Sequence, residues 1–439
     1  GKFKRLKFSE LFSDRFYLVA LSILIPTSIN LSITQFLTPI LNSFMVRSTN
    51  PELSISVFSI SMSILFLISL PHLRVQHLTI VYYKNYSKMK IHFFIFLLAI
   101  ICLIISIFVI FSPAVNFVLD TIFGTSGEMR INVENALKIS FFIPFLLILK
   151  MHFYAISIVS SKSNYIWIGT ISGFIFSILF ASILYFLNFE KYNLGITSYT
   201  LASIIETLII MLLVRKNLFD SKIIINKDIL RIGELTKFFT PLLFAAFLPS
   251  FTMPAINACL TRFENPEIAI SSVNLGFGIF GAVTFTINGC QSTILSLLAN
   301  GYRYKDIRNF SYIVGFITLF ICSLISWIPL INNFIFSDLF GISGSLLSGT
   351  LIVFKLLSIL PPFLVMEQIY VGIIMNSKST NPLFYINICR FLVLIFCLST
   401  GILFFKSYGP VVGGSAWALT LFFEAIFAWL FARKITLPS

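Results

Sequence analysis

The sequence predicts an all-α polytopic membrane protein, with twelve transmembrane helices in two parallel six-helix lobes. Composition is the first reason: 57% of the 439 residues are hydrophobic and 11% charged, whereas soluble domains carry about 25% charged residues. Segmentation is the second. The apolar residues fall into twelve stretches, each close to or above the roughly 20 residues that a bilayer-spanning helix needs. An internal repeat is the third. Pro39, Asn42, Arg47, Asn50, Pro51, Glu52, Ile55 and Ser56 recur 215 residues later as Pro254, Asn257, Arg262, Asn265, Pro266, Glu267, Ile270 and Ser271, eight identities in eighteen positions.

In chain order the spans lie near 17–41, 54–82, 91–113, 132–158, 164–187, 194–214, 238–261, 268–299, 309–331, 346–375, 382–405 and 410–432. Several exceed the length needed, which predicts tilt or kinks. Pro26, Pro71, Pro144, Pro249, Pro361 and Pro362 lie inside spans and should bend them. The chain opens on Gly1, which suggests a processed start. Its basic stretch from Lys2 to Arg15 runs into a span too long for a signal peptide, so no cleavable leader is expected.

Lys and Arg gather in cytoplasmic loops. With the N-terminus inside, 21 of them fall on the inner side and five outside, namely Arg47, Arg130, Lys191, Arg262 and Lys406. Both termini are therefore expected in the cytoplasm. The same bias accounts for most of the +14 net charge. The basic residues are scattered over short membrane-flanking loops, so no nucleic-acid partner is expected. The expected organisation is a basic segment 1–16, an N-lobe 17–214, a cytoplasmic linker 215–237, a C-lobe 238–432 and a cytoplasmic end 433–439. Each lobe has an even number of spans, so the second lobe enters with the orientation of the first. The repeat is then parallel, with a substrate site between the halves.

The repeat extends weakly beyond its strongest block. Lys138, Pro144, Leu147 and Lys150 in span 4 align with Lys355, Pro361, Leu364 and Glu367 in span 10. Ser161-Lys162-Ser163 aligns with Ser377-Lys378-Ser379, Glu206 falls near Glu424, and Gln76 aligns with Gln291.

A charge at the bilayer centre costs about 2.5–3.5 kcal/mol on insertion scales, so it usually faces a bundle interior or a wet cavity. The intramembrane set is Arg74, Lys138, Lys150, Glu206, Lys355, Glu367, Arg390 and Glu424, with His72, His77 and His152 nearby. Lys138 lies close enough to the outer end to snorkel. Lys150 and Arg390 lie deep. Five cations against three carboxylates suggest a basic cavity that accepts an anion. The expected substrate-binding residues are Lys150, Arg390, Arg74, Lys355, His152, Glu367, Gln76, Gln291, Asn42 and Asn257. Glu206 and Glu424 are coupling candidates, and His152 and Glu367 are also protonatable. The bland alternative is internal pairing: Lys150 with Glu367 across the pseudo-twofold, and Arg390 with Glu424 or Glu206. Asn42 and Asn257, with Arg47 and Arg262, sit where spans 1 and 7 meet the outer surface; for them the bland alternative is helix capping and turn formation, and closure of an outer gate is a further possibility. The six cysteines all fall inside apolar spans without metal spacing and read as small core hydrophobes.

The chain resembles the multidrug/oligosaccharidyl-lipid/polysaccharide (MOP) exporter superfamily over essentially its whole length. Within it, the chain looks most like the progressive-ankylosis (ANK-type) transporters. Phe239-Thr240-Pro241-Leu242, Pro254-Ala255-Ile256-Asn257 through Arg262, Cys389-Arg390-Phe391-Leu392-Val393-Leu394 and Gly413-Gly414-Ser415-Ala416-Trp417 with Glu424 carry that resemblance. Lys355 stands where that family has Arg. Met253 replaces a family Arg, and the acidic residues of the family's first span are absent. The resemblance implies a MATE-like V of two lobes around a central cavity. It also implies export of a polyvalent anion such as citrate, pyrophosphate or a nucleotide.

The alternative within the superfamily is a Wzx-type flippase for a polyprenyl-diphosphate-linked oligosaccharide, whose carrier also needs Arg and Lys. Glycosyltransferase genes beside this one would favour it. A drug exporter coupled to cations fits less well, because the N-lobe has few acidic residues. An enzyme is not expected: the loops are short, with no D-x-D, no P-loop and no metal-spaced His/Cys set. No cofactor or metal is expected. The expected partners are the bilayer, the anionic substrate or lipid-linked oligosaccharide, and a coupling proton or sodium ion. The chain should act as a monomer in a bacterial inner membrane, by alternating access.

Overall fold

The computed structural model describes residues 15–83, 88–160, 162, 164–189, 192–218, 232–376 and 381–433. The basic N-terminal segment, most of the inter-lobe linker, the C-terminal end and most of the turns at 161–163 and 377–379 lie outside the described residues.

Among the described residues, eight helices are long and apolar enough to cross a membrane, or ten if each of two bent pairs forms one span. Spans 1 and 7 complete the twelve: a 32-residue helix, Arg15–Val46, and the pair Ile232–Ser250 and Thr252–Leu260. The protein is thus an all-helical, multi-pass membrane protein with the expected segmentation.

The prolines account for most of the breaks. Span 4 bends by 44° between Gly127–Ser140 and Ile143–Val159, and span 10 by 48° between Gly344–Leu357 and Pro361–Met375. Pro144 and Pro361 open the second pieces. There the missing N–H breaks no helical bond, while the ring bars continuation from the preceding turn. Span 2 breaks between Pro51–Ile68 and His72–Tyr82, at Pro71, and span 7 breaks beside Pro249. Pro26 departs from expectation: the helix runs through it unbroken. Thr27 Oγ1 donates to the Ile23 carbonyl at 2.7 Å in the same turn.

The two lobes meet along a polar seam that follows the repeat. Asn42 of span 1 donates to Asn274 Oδ1 of span 8 at 2.8 Å. In the related place, Asn257 of span 7 donates to Ser59 and Ser63 of span 2, each at 2.9 Å. Asn274 Nδ2 also donates to Ser59 Oγ at 2.9 Å. Positions 59 and 274 are themselves 215 apart, so this bond marks the pseudo-twofold axis. Asn42 and Asn257 are fully buried and cap no helix; Asn50, whose side chain accepts from Leu53 N, caps span 2. Asn257→Ala should lower stability by about 1–3 kcal/mol, the range for stranding buried hydrogen-bonding groups. Asn42→Ala, which removes one bond, should cost less. Denaturant unfolding in micelles measures both.

Toward the chain termini, spans 1 and 7 lean across the seam. Ala20 and Leu24 pack with Ile287, Ile294 and Phe310 of the C-lobe, and Leu235 and Phe239 pack with Val75, Leu78 and Phe94 of the N-lobe. Ser28 and Ser32 donate to the Thr286 and Phe285 carbonyls at 3.0 and 3.2 Å. Each lobe thus borrows the first half of its partner's leading helix.

Candidate functional site

A cavity of about 600 Å³ lies between the lobes, with Lys150 and Glu206 on the N-lobe wall and Arg390 on the C-lobe wall. Most of the remaining wall is apolar or aromatic, including Phe58, Phe174, Met253, Phe277 and Trp417. Phe277 and Trp417 stack with ring centroids 3.6 Å apart.

Lys150 Nζ meets Glu206 Oε2 at 3.0 Å, and the two side chains are 11% and 10% exposed. The other carboxylate oxygen accepts from the hydroxyl of Tyr154, one helical turn beyond Lys150. Arg390 Nη1 meets Glu424 at 2.9 Å, and its Nη2 donates to Thr252 Oγ1 at 3.3 Å. The Arg390 Nε is buried without a partner. Each pair lies within one lobe. The two carboxylates occupy related positions on spans 6 and 12, but their cations come from unrelated ones, span 4 and span 11.

The pairing of Lys150 with Glu367 across the pseudo-twofold is therefore replaced by a pair inside the N-lobe. The reason is rotation: Lys150 faces span 6 in its own lobe, while Glu367 accepts from Gln368 and lies within electrostatic reach of Glu424 and Arg390. The expected surplus of positive charge in the cavity is also absent, because each cation has a carboxylate.

Several expected binding residues lie outside the cavity wall. Lys355 points outward, its Nζ 4.8 Å from the ring centroid of the exposed Trp327. Lys138, expected to snorkel rather than bind, pairs with Glu134 one turn away at 2.7 Å. His152 is buried in the N-lobe, bonded to Thr79 at 2.9 Å and to His92 at 2.8 Å. Arg74 and Gln76 sit on the second piece of span 2, apart from the wall residues, and the Arg74 Nε is buried without a partner. Gln291 donates to Met375 Sδ at 2.8 Å. Asn42 and Asn257 belong to the seam. These positions have the right depth but face elsewhere.

The structure adds residues that sequence reasoning passes over. Span 5 presents Gly169, Gly173, Ser177 and Ala181, all buried and four apart. Such a small-residue stripe lets helices approach closely in membranes. A Cβ on Gly173 would lie 2.5 Å from Glu206 Oε2, and one on Gly169 would lie 2.9 Å from the Tyr154 ring. The stripe and the i,i+4 spacing of Lys150 and Tyr154 were legible signals. Gly173→Ala should push Glu206 off Lys150 and lower the unfolding midpoint in micelles by several degrees. Ser177→Ala, on the same stripe, should have little effect.

No protein-family model and no curated protein matches the chain, but solved structures do. The lipid II flippase MurJ in an inward closed conformation matches with TM-score 0.72 and 16% identity, over 94% of this chain and 88% of that one. An inward-facing multidrug-resistance MATE transporter of the MOP superfamily matches with TM-score 0.68 and 14% identity, over 95% and 97%. A MOP-superfamily transporter from Pyrococcus furiosus, reported to have a binding pocket of reverse polarity, matches with TM-score 0.58 and 14% identity, over 98% of both chains. These likenesses show the fold: the chain has the two-lobed architecture of MOP-superfamily transporters and flippases.

Proposed function

We propose that the chain is a secondary transporter working by alternating access, and that it moves an amphipathic anion of the polyprenyl-diphosphate-linked oligosaccharide class. One observation carries this reading. Lys150 and Arg390 enter a single cavity from opposite lobes, Lys150 with donors to spare, and the rest of that wall is largely apolar. Lys150 uses one of three N–H donors on Glu206, while the Arg390 guanidinium is held by Glu424 and Thr252. Glu206 is already occupied by Lys150 and Tyr154. Among the charged side chains of the wall, the free hydrogen-bonding capacity is thus donor capacity on Lys150, which suits an anion.

The apolar wall favours a lipid-linked anion over citrate. A small tricarboxylate needs several unpaired cations and a polar surround, because leaving water costs it more than two neutralised cations return. A diphosphate can take the spare donors while its apolar chain lies on Phe58, Phe174 and Trp417. The progressive-ankylosis resemblance at Pro254 to Arg262 falls largely on the seam and the end of span 7, so it bears on the fold rather than the substrate. The basic loops favour cytoplasmic termini, which fits export from the inner leaflet of a bacterial inner membrane. Glu206 and Glu424 are the groups whose protonation could couple to loading.

The test reconstitutes the full chain in vesicles with two probes, a fluorescent polyprenyl-diphosphate disaccharide and labelled citrate. Movement of the lipid to the leaflet where an impermeant quencher reaches it is the expected result. Citrate uptake without lipid movement would overturn the lipid reading and restore the polyvalent small anion.

A further inference from the structure

Where spans 1 and 7 end, opposite the chain termini, a second pattern crosses the seam. Two short π-helices, Phe117–Ile122 and Asn333–Leu339, precede Phe123-Gly124-Thr125-Ser126-Gly127 and Phe340-Gly341-Ile342-Ser343-Gly344. Four of these five positions are identical, at an offset of 217. Arg47 of the N-lobe donates through Nη2 to the Leu339 carbonyl at 2.9 Å and through Nη1 to the Phe340 carbonyl at 3.3 Å. Arg262 of the C-lobe donates through Nη2 to the Thr121 and Ile122 carbonyls at 2.7 and 3.0 Å. Each guanidinium also holds a carbonyl of its own helix one turn back, at Ser43 and Ala258.

The chemistry is the same on both sides. The last carbonyls of a helix lack intrahelical donors and carry the negative end of its dipole, so a cation there is favourable. Gly124 and Gly341 have φ of +64° and +76°, a conformation open to glycine at little cost. A Cβ on either would also lie within 3.1 or 3.3 Å of the guanidinium carbon. Both glycines serve the same contact.

We propose that Arg47 and Arg262 form a reciprocal pair of clasps that holds this end of the transporter shut, and that both must release before the cavity opens there. On the orientation favoured by the basic loops, this is the outer gate. Closure toward the termini rests mainly on apolar packing of spans 1 and 7. Here exposed charge-assisted bonds that water can replace lie over the buried seam of Asn42 and Asn257 and the apolar core beside it, so the clasps are the outermost contacts to release. The inference uses the transporter reading but is independent of the substrate.

The test is a distance measurement between spin labels at Ser126→Cys and Ser343→Cys, with the partly exposed Cys389 and Cys397 replaced by alanine. Both serines are exposed, one on each lobe. The parent should show one short distance. Arg47→Ala or Arg262→Ala should each shift the closed-to-open ratio about tenfold, the scale of a charge-assisted hydrogen bond. Together they should produce a clear long-distance population, with the double Arg→Lys variant in between. Both arginines are exposed, so the variants should fold, and an unchanged unfolding midpoint checks this. A double alanine variant with the parent's distribution overturns the proposal and leaves the arginines as static braces. No substrate is needed, so that result leaves the lipid assignment untouched.

Discussion

Transport of the polyprenyl-diphosphate probe is expected to fall at least about a hundredfold when Lys150 and Arg390 are both replaced by alanine. Hydrogen bonds to charged groups contribute about 1.5–3 kcal/mol each, and the pair supplies the two cations of the cavity. The double variant also strands Glu206 and Glu424, so a loss of activity could reflect misfolding. The decisive sample therefore carries Glu206→Gln and Glu424→Gln as well, which removes the stranded charges with almost no change in volume. A folded quadruple variant that still moves the lipid would show that the two pairs only brace their lobes. A folded, inactive one, beside a Glu206→Gln/Glu424→Gln variant that still moves the lipid, would support the cations' role in holding the anion.

Arg390→Ala is expected to destabilise the protein by about 3–5 kcal/mol, the usual cost of breaking a buried ion pair by removing one partner. The Arg390 and Glu424 side chains are 15% and 11% exposed, so solvent screening offsets little of that. Lys150→Ala should cost less, although its pair is as buried, because Tyr154 still donates to Glu206. Without Arg390, Glu424 keeps no comparable donor among the described residues and still faces Glu367. Adding Glu424→Gln to Arg390→Ala should recover most of the loss. Denaturant unfolding in micelles gives the whole cycle. Equal losses for the two single variants would contradict the role assigned to Tyr154.

The spans, the repeat and most of the breaks follow from the sequence because their causes are local. Bilayer thickness sets the length of an apolar run, and a proline ring blocks the turn before it wherever the helix lies. Proline is less decisive inside a long helix, as at Pro26, where the helix continues unbroken. The glycine stripe of span 5 and the four-in-five match at 123 and 340 were also written in the chain. Their meaning was not, since a small residue does not name what approaches it.

Hydropathy fixed how deep each charge lies but not which way it faces. In a membrane protein the lipid and the core are both apolar, so the hydrophobic pattern gives little guide to a helix's rotation. Lys355 and Lys150 both lie within their spans, yet one turns out to Trp327 and the other in to Glu206. Asn42 and Asn257 occupy a repeat block that reads as a turn, yet they sew the lobes together. The chain alone determined twelve spans, their twofold repeat and the depth of the charges. Only the packing of helix against helix decided which charges pair and which two cations share the cavity, because those contacts join residues far apart in sequence.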